Sequence, residues 1–219
     1  MATRPKYSEQ EMLEKFRITF ANLVNQKTIA TTMAEYGYTP EVNAIGKQLF
    51  DSTINAINFN KQEGNETIAS RANFDSRLLW LTDTYASHRR KAKVIFRKDP
   101  VTLKQLGLWG RYSHAYVKLV ELMKTFYNGI LSNPDHIAKL AAYKISEDEI
   151  KNCITEISAL ETSRQLYLNE VGESQEATKL KDKAMSELVE WMDDLYSVAK
   201  IAMEDQPQLL ESIGVFVRS

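Results

Sequence analysis

Residues 78–111, LLWLTDTYASHRRKAKVIFRKDPVTLKQLGLWGR, and residues 185–218, MSELVEWMDDLYSVAKIAMEDQPQLLESIGVFVR, decide how this chain folds. In the first, Leu78, Leu81, Tyr85, His88, Ala92 and Ile95 step by 3, 4, 3, 4 and 3 residues. In the second, Met185, Leu188, Met192, Leu195, Ala199 and Ala202 take the same steps. Side chains three and four residues apart share one helix face, so each stretch predicts an α-helix with an apolar seam. After each seam a proline (Pro100, Pro207) starts a short helix and a glycine (Gly107, Gly214) stops it.

The two stretches lie 107 residues apart, and the same register reaches well beyond them. Tyr36 falls on Tyr143, Ala92-Lys93 on Ala199-Lys200, Leu103 on Leu210 and Arg111 on Arg218. Conservative pairs lie between, such as Met33 with Leu140, Thr39 with Ser146, Leu106 with Ile213 and Trp109 with Phe216. Nearer the N-terminus the identities suggest an offset of 106, which puts Thr19-Phe20 and Asn22 on Thr125-Phe126 and Asn128. The chain therefore reads as two tandem copies of one helical unit, residues 8–112 and 113–219, expected to pack as one bundle.

Each copy opens with an amphipathic helix. Ser8 with Glu11 forms a capping box ahead of Leu13, Phe16, Phe20 and Leu23, and Ser113 is expected to cap a helix reaching Leu131. Short helices follow over about Thr28–Tyr36 and Pro134–Tyr143. A third helix starts at Thr39-Pro40-Glu41 and at Ser146 with Glu149, and is expected to end near Gly64 and Gly172. The seam helix comes fourth. The fold class is all-α: a bundle with long helices running up and down and short helices connecting them.

Composition agrees. Eight glycines and five prolines in 219 residues are too few for a turn-rich fold. No apolar run nears the roughly 18 residues that would suggest a membrane span. The lone Cys153 suits a reducing compartment, and Met1 to Met12 contains no apolar leader, so a cytoplasmic protein is expected.

The residues offer little chemistry. His88, His114 and His136 each lack an acid three residues before them, so the Glu-x-x-His pattern of metal-binding bundles is missing. His88 lies on the seam where the second copy has Leu195, which reads as a core or interface histidine. With Tyr85 it is the place to look for a small-molecule or metal site between helices. Cys153 beside Ile154 reads as a small buried hydrophobe. Gly107-Leu108-Trp109-Gly110-Arg111 lacks the spacing and the Lys-Ser/Thr of a phosphate loop. No catalytic, cofactor or metal residue is assigned.

Charge separates the copies. Residues 1–112 hold 17 Lys+Arg and 11 Asp+Glu, a net of +6, and residues 113–219 hold 11 and 18, a net of −7. The difference concentrates in the seam helices. One carries Arg89, Arg90, Lys91, Lys93, Arg97 and Lys98, a candidate polyanion-binding stretch. The other carries Glu187, Glu190, Asp193, Asp194, Glu204 and Asp205, a candidate acidic interaction face.

The closing segment Asp205 to Ser219 and its echo from Pro100 to Arg111 resemble a group of uncharacterised bacterial all-helical proteins. These share a Pro-x-Leu-Leu-x-x-x-Gly-x-x-x-Arg-Ser-like tail. The resemblance implies a bacterial source and a helical fold, and carries no activity. The sequence thus points to a non-enzymatic helical scaffold or protein-interaction protein that associates with itself. Nucleic-acid or polyanion binding through residues 88–98 is the alternative.

Overall fold

The structure, a computed structural model, describes residues 7–215. The pairings of Trp109 with Phe216 and of Arg111 with Arg218, and the last residues of the tail pattern, lie outside the described residues.

The described residues form eight α-helices and no strand. They are α1 (Glu9–Asn25), α2 (Lys27–Glu35), α3 (Pro40–Ile95), α4 (Pro100–Gln105), α5 (Tyr116–Leu131), α6 (Pro134–Ala141), α7 (Glu147–Ala202) and α8 (Gln208–Ser212). No helix among them is long and apolar enough to cross a membrane.

Helix starts follow local chemistry. The Glu11 amide donates to Ser8 Oγ at 3.3 Å, and the Ser8 amide donates to Glu11 Oε2 at 2.8 Å, so two otherwise unpaired donors are satisfied together. Asn133 accepts from the Asp135 amide ahead of Pro134, and Asp99 accepts from the Thr102 amide ahead of Pro100. Helix α5 begins later than Ser113 suggests. Ser113 Oγ is taken by the Ala115 amide, and the first turn starts at Tyr116.

The expected breaks at Gly64 and Gly172 are absent. Helices α3 and α7 each run 56 residues without interruption through these glycines. A helical glycine costs about 1 kcal/mol relative to alanine, too little to end a helix unaided. No proline lies between Pro40 and Pro100 or between Pro134 and Pro207. At Gly107 and Gly214 the backbone does turn left-handed, with φ of 63° and 78°. There the amides of Leu108 and Val215 bond back to the Leu103 and Leu210 carbonyls, closing the same C-terminal cap twice.

The two long helices begin and end 107 residues apart. The same offset holds in the opening helices: buried Phe16, Thr19, Phe20 and Leu23 correspond to buried Met123, Phe126, Tyr127 and Ile130. The offset of 106 suggested by Thr19-Phe20 is therefore corrected to 107, because burial and not identity sets the register.

The chain forms two compact units, and these divide it differently from the repeat of 8–112 and 113–219. One unit is residues 1–63 with 174–219, and the other is residues 64–173. Each takes half of α3 and half of α7, which pack against each other within it. In the unit of residues 64–173, Leu81, Tyr85, Phe126, Tyr127, Ile150 and Leu160 centre the core, with Tyr85, Phe126 and Tyr127 edge-on at 5.0–6.3 Å. In the other, Phe20, Phe50, Leu188, Met192 and Leu195 are buried, and Phe20 stacks on Trp191 at 5.5 Å. Seam positions 78–95 and 185–202 are buried or half-buried throughout.

Exchange of halves dilutes the charge asymmetry of the sequence. The unit of residues 64–173 holds 16 Lys+Arg against 13 Asp+Glu, and the other holds 12 against 16.

Candidate functional site

The basic stretch of α3 meets the segment that follows α4. Arg89 is buried, 4% exposed, and forms no ion pair with a carboxylate of the described residues. Its guanidinium donates to the carbonyls of Gly107 at 2.7 Å and of Leu108 and Gly110 at 3.0 Å, and lies 5.1 Å from the Tyr112 ring centre. Lys93 Nζ adds a bond to the Gly110 carbonyl at 3.0 Å. Residues 107–110 are thereby tied to α3.

Beside this latch lies a groove of about 720 Å³ whose polar lining includes Lys104, Arg111 and Lys118 and contains no carboxylate. Trp109 also lines it and is 67% exposed. Arg90, Arg97 and Lys98 are exposed, and Lys91 and Lys93 are half-buried. None of these eight cations forms an ion pair with a carboxylate of the described residues, whereas Arg71, Arg77, Lys124 and Lys151 of the same unit do. Of the six basic residues singled out in the sequence, Arg89 is buried and used internally, and Lys93 spends one bond on the same segment. Sequence reasoning missed Lys104, Trp109, Arg111 and Lys118, which core packing of α4 and α5 and the latch at residues 107–110 bring beside α3.

The other unit repeats the frame with the opposite sign. Position 196, equivalent to Arg89, is Tyr196. Its hydroxyl meets Thr19 Oγ1 at 2.7 Å, and Thr19 donates to the Ile213 carbonyl at 2.9 Å, so the end of α8 is held to α1. The groove there, about 490 Å³, is lined by Glu11, Glu14, Lys15 and Glu211. Lys15 lies over the Tyr196 ring at 4.2 Å, and burial lowers its pKa.

Glu187, Glu190, Asp193, Asp194, Glu204 and Asp205 are all exposed, and only Glu187 has an ion-pair partner among the described residues, Lys183 at 3.8 Å. At four equivalent exposed positions Arg97, Lys98, Lys104 and Lys118 face off against Glu204, Asp205, Glu211 and Glu11. A sign comparison between repeat partners is the sequence signal that would have found Lys104 and Lys118.

His88 belongs to a buried polar set in the unit of residues 64–173. Its Nδ1 is 3.1 Å from Tyr127 Oη and its Nε2 is 3.1 Å from Glu149 Oε1. Burial pulls the imidazole pKa down, and the neighbouring Glu149 carboxylate opposes the shift. Burial also raises the pKa values of Tyr127 and Cys153. Cys153 is fully buried and so is not placed to act as a nucleophile on a solvent-borne substrate.

No protein-family model, curated protein or solved structure matches this chain.

Proposed function

We propose that this chain is a non-enzymatic helical-bundle scaffold that associates with itself, the basic groove of one copy receiving the acidic surface of another. The observation that carries the reading is the reversal of sign at Arg97/Glu204, Lys98/Asp205, Lys104/Glu211 and Lys118/Glu11 on one repeated backbone frame. Surfaces of this kind repel their own kind and attract the other, which favours a heterologous over an isologous contact. Such a contact propagates until its rotation closes a ring. A reducing cytoplasm accords with the single buried thiol.

Light scattering at low and high salt tests this. Between about 0.01 M and about 1 M the screening length falls from roughly 30 Å to roughly 3 Å. Assemblies at low salt that dissociate at high salt are expected. A monomer under both conditions overturns the proposal.

One observation favours a second reading. Exposed Trp109 among Lys104, Arg111 and Lys118 has the aromatic-and-cation chemistry that single-stranded nucleic acids use, bases stacking while phosphates pair. A single-stranded oligonucleotide is then expected to bind and to weaken steeply with salt. Absence of a mobility shift at low ionic strength ends that reading.

A further inference from the structure

A second cavity lies in the unit of residues 1–63 and 174–219, among α1, α2 and the first turns of α3. Its volume is about 660 Å³, within the range of small-molecule sites. Phe20, Leu23, Val24, Ala30, Tyr38 and Ala44 supply its apolar wall. Phe20 and Tyr38 are braced from behind by Trp191, at 5.5 Å and 5.7 Å between ring centres. Arg17 and Lys47 line it as well, and no carboxylate does.

The repeat shows what created this space. The same frame in the unit of residues 64–173 has Ile137 where this unit has Ala30, Ile150 where it has Asn43, Ile154 where it has Lys47 and Leu131 where it has Val24. Ile150 is fully buried, and Ile137, Ile154 and Leu131 pack against the core there. One copy fills the position with branched apolar side chains. The other holds smaller or more polar ones on the same backbone, so the cavity is not a general property of the frame.

One group in the cavity wall is incompletely satisfied. Asn43 donates through Nδ2 to the Tyr38 carbonyl at 3.1 Å, while its Oδ1 is buried and has no hydrogen-bond partner among the described residues. A buried acceptor left unmade costs about 1–3 kcal/mol, so this wall is held at some cost to the fold.

We infer that this cavity binds a small amphipathic anion: an aromatic or aliphatic body for the apolar wall and an acidic group for Arg17 and Lys47. The ion pairs of Arg17 with Glu14 and of Lys47 with Asp51 are exposed surface pairs, weak enough for such a group to replace.

Anilinonaphthalene sulfonate carries both features, and its fluorescence rises on entering an apolar site. The full chain is expected to bind it one to one. Ala30→Ile with Asn43→Ile transplants the side chains of the other copy, and is expected to weaken binding about tenfold or more while the melting temperature holds or rises. Lys47→Glu leaves the wall intact and is expected to weaken binding severalfold, which keeps the test open should the double variant fail to fold. The inference is overturned if the wild-type chain does not bind the probe. It is equally overturned if the folded double variant, or Lys47→Glu, binds as wild type does. Failure here leaves self-association untouched, since none of these residues belongs to the sign-reversed surfaces.

Discussion

Replacing Arg89 with methionine probes the latch that builds the basic groove. The guanidinium is buried and makes three bonds of 2.7–3.0 Å to the carbonyls of Gly107, Leu108 and Gly110. Hydrogen bonds involving a charged partner contribute about 1.5–3 kcal/mol each, so the gross loss is several kcal/mol. Two effects offset part of it. Methionine removes a buried charge whose desolvation was itself unfavourable by several kcal/mol. The Gly110 carbonyl also keeps its bond from Lys93. A net destabilisation of about 2–4 kcal/mol is expected. Urea unfolding followed by circular dichroism reads it, and hydrogen exchange of the amides of residues 103–112 locates it. Arg89→Lys, with one ammonium for three carbonyls, is expected to fall between. Arg90→Met, at the exposed neighbour, is expected to stay within about 0.5 kcal/mol of wild type. A loss under about 1 kcal/mol for Arg89→Met, with unchanged exchange in 103–112, refutes the latch.

Three further outcomes follow from the packing of single residues. At Gly64 and Gly172 an added Cβ meets nothing within 4 Å, so alanine at either position is expected to stabilise by about 0.5–1 kcal/mol; at Gly46 the Cβ would overlap the Trp191 ring, and Gly46→Ala is expected to destabilise by about 1–3 kcal/mol, all three read as urea midpoints. His88 has a folded-state pKa below its ordinary value, so its contribution is fully present above about pH 6.5 and is lost as the pH falls through the folded value; a urea midpoint that declines from pH 7.5 to 5, and declines less in His88→Leu, is the expected result.

Much of the fold is legible in the sequence, because helix starts and apolar seams are local. The Ser8–Glu11 box, Asn133-Pro134, Asp99-Pro100 and the steps from Leu78 to Ile95 each predict what the backbone does. Gly64 and Gly172 mislead because a glycine alone lacks the left-handed turn and returning amide that close the caps at Gly107 and Gly214. The exchange of halves between the repeat copies is a long-range outcome of two unbroken helices, and no local signal reports it. The candidate site divides the same way. The cations of residues 90–98 are contiguous and visible, whereas Lys104, Trp109, Arg111 and Lys118 join them through tertiary packing and the bonds of Arg89 and Lys93. Arg89 itself looks like one more surface charge until its carbonyl partners are known.

The reversal of sign between equivalent surfaces is tested most directly by mixing two charge-swapped chains. One carries Arg97→Glu, Lys98→Glu and Lys104→Glu; the other carries Glu204→Lys, Asp205→Lys and Glu211→Lys. All six positions are exposed, so both chains are expected to fold as wild type does. In sedimentation velocity at low salt each alone is expected to remain monomeric, because its two surfaces now share one sign, and the mixture is expected to associate. Two variants that each sediment as the wild type does, with no new species on mixing, would contradict self-association through these surfaces.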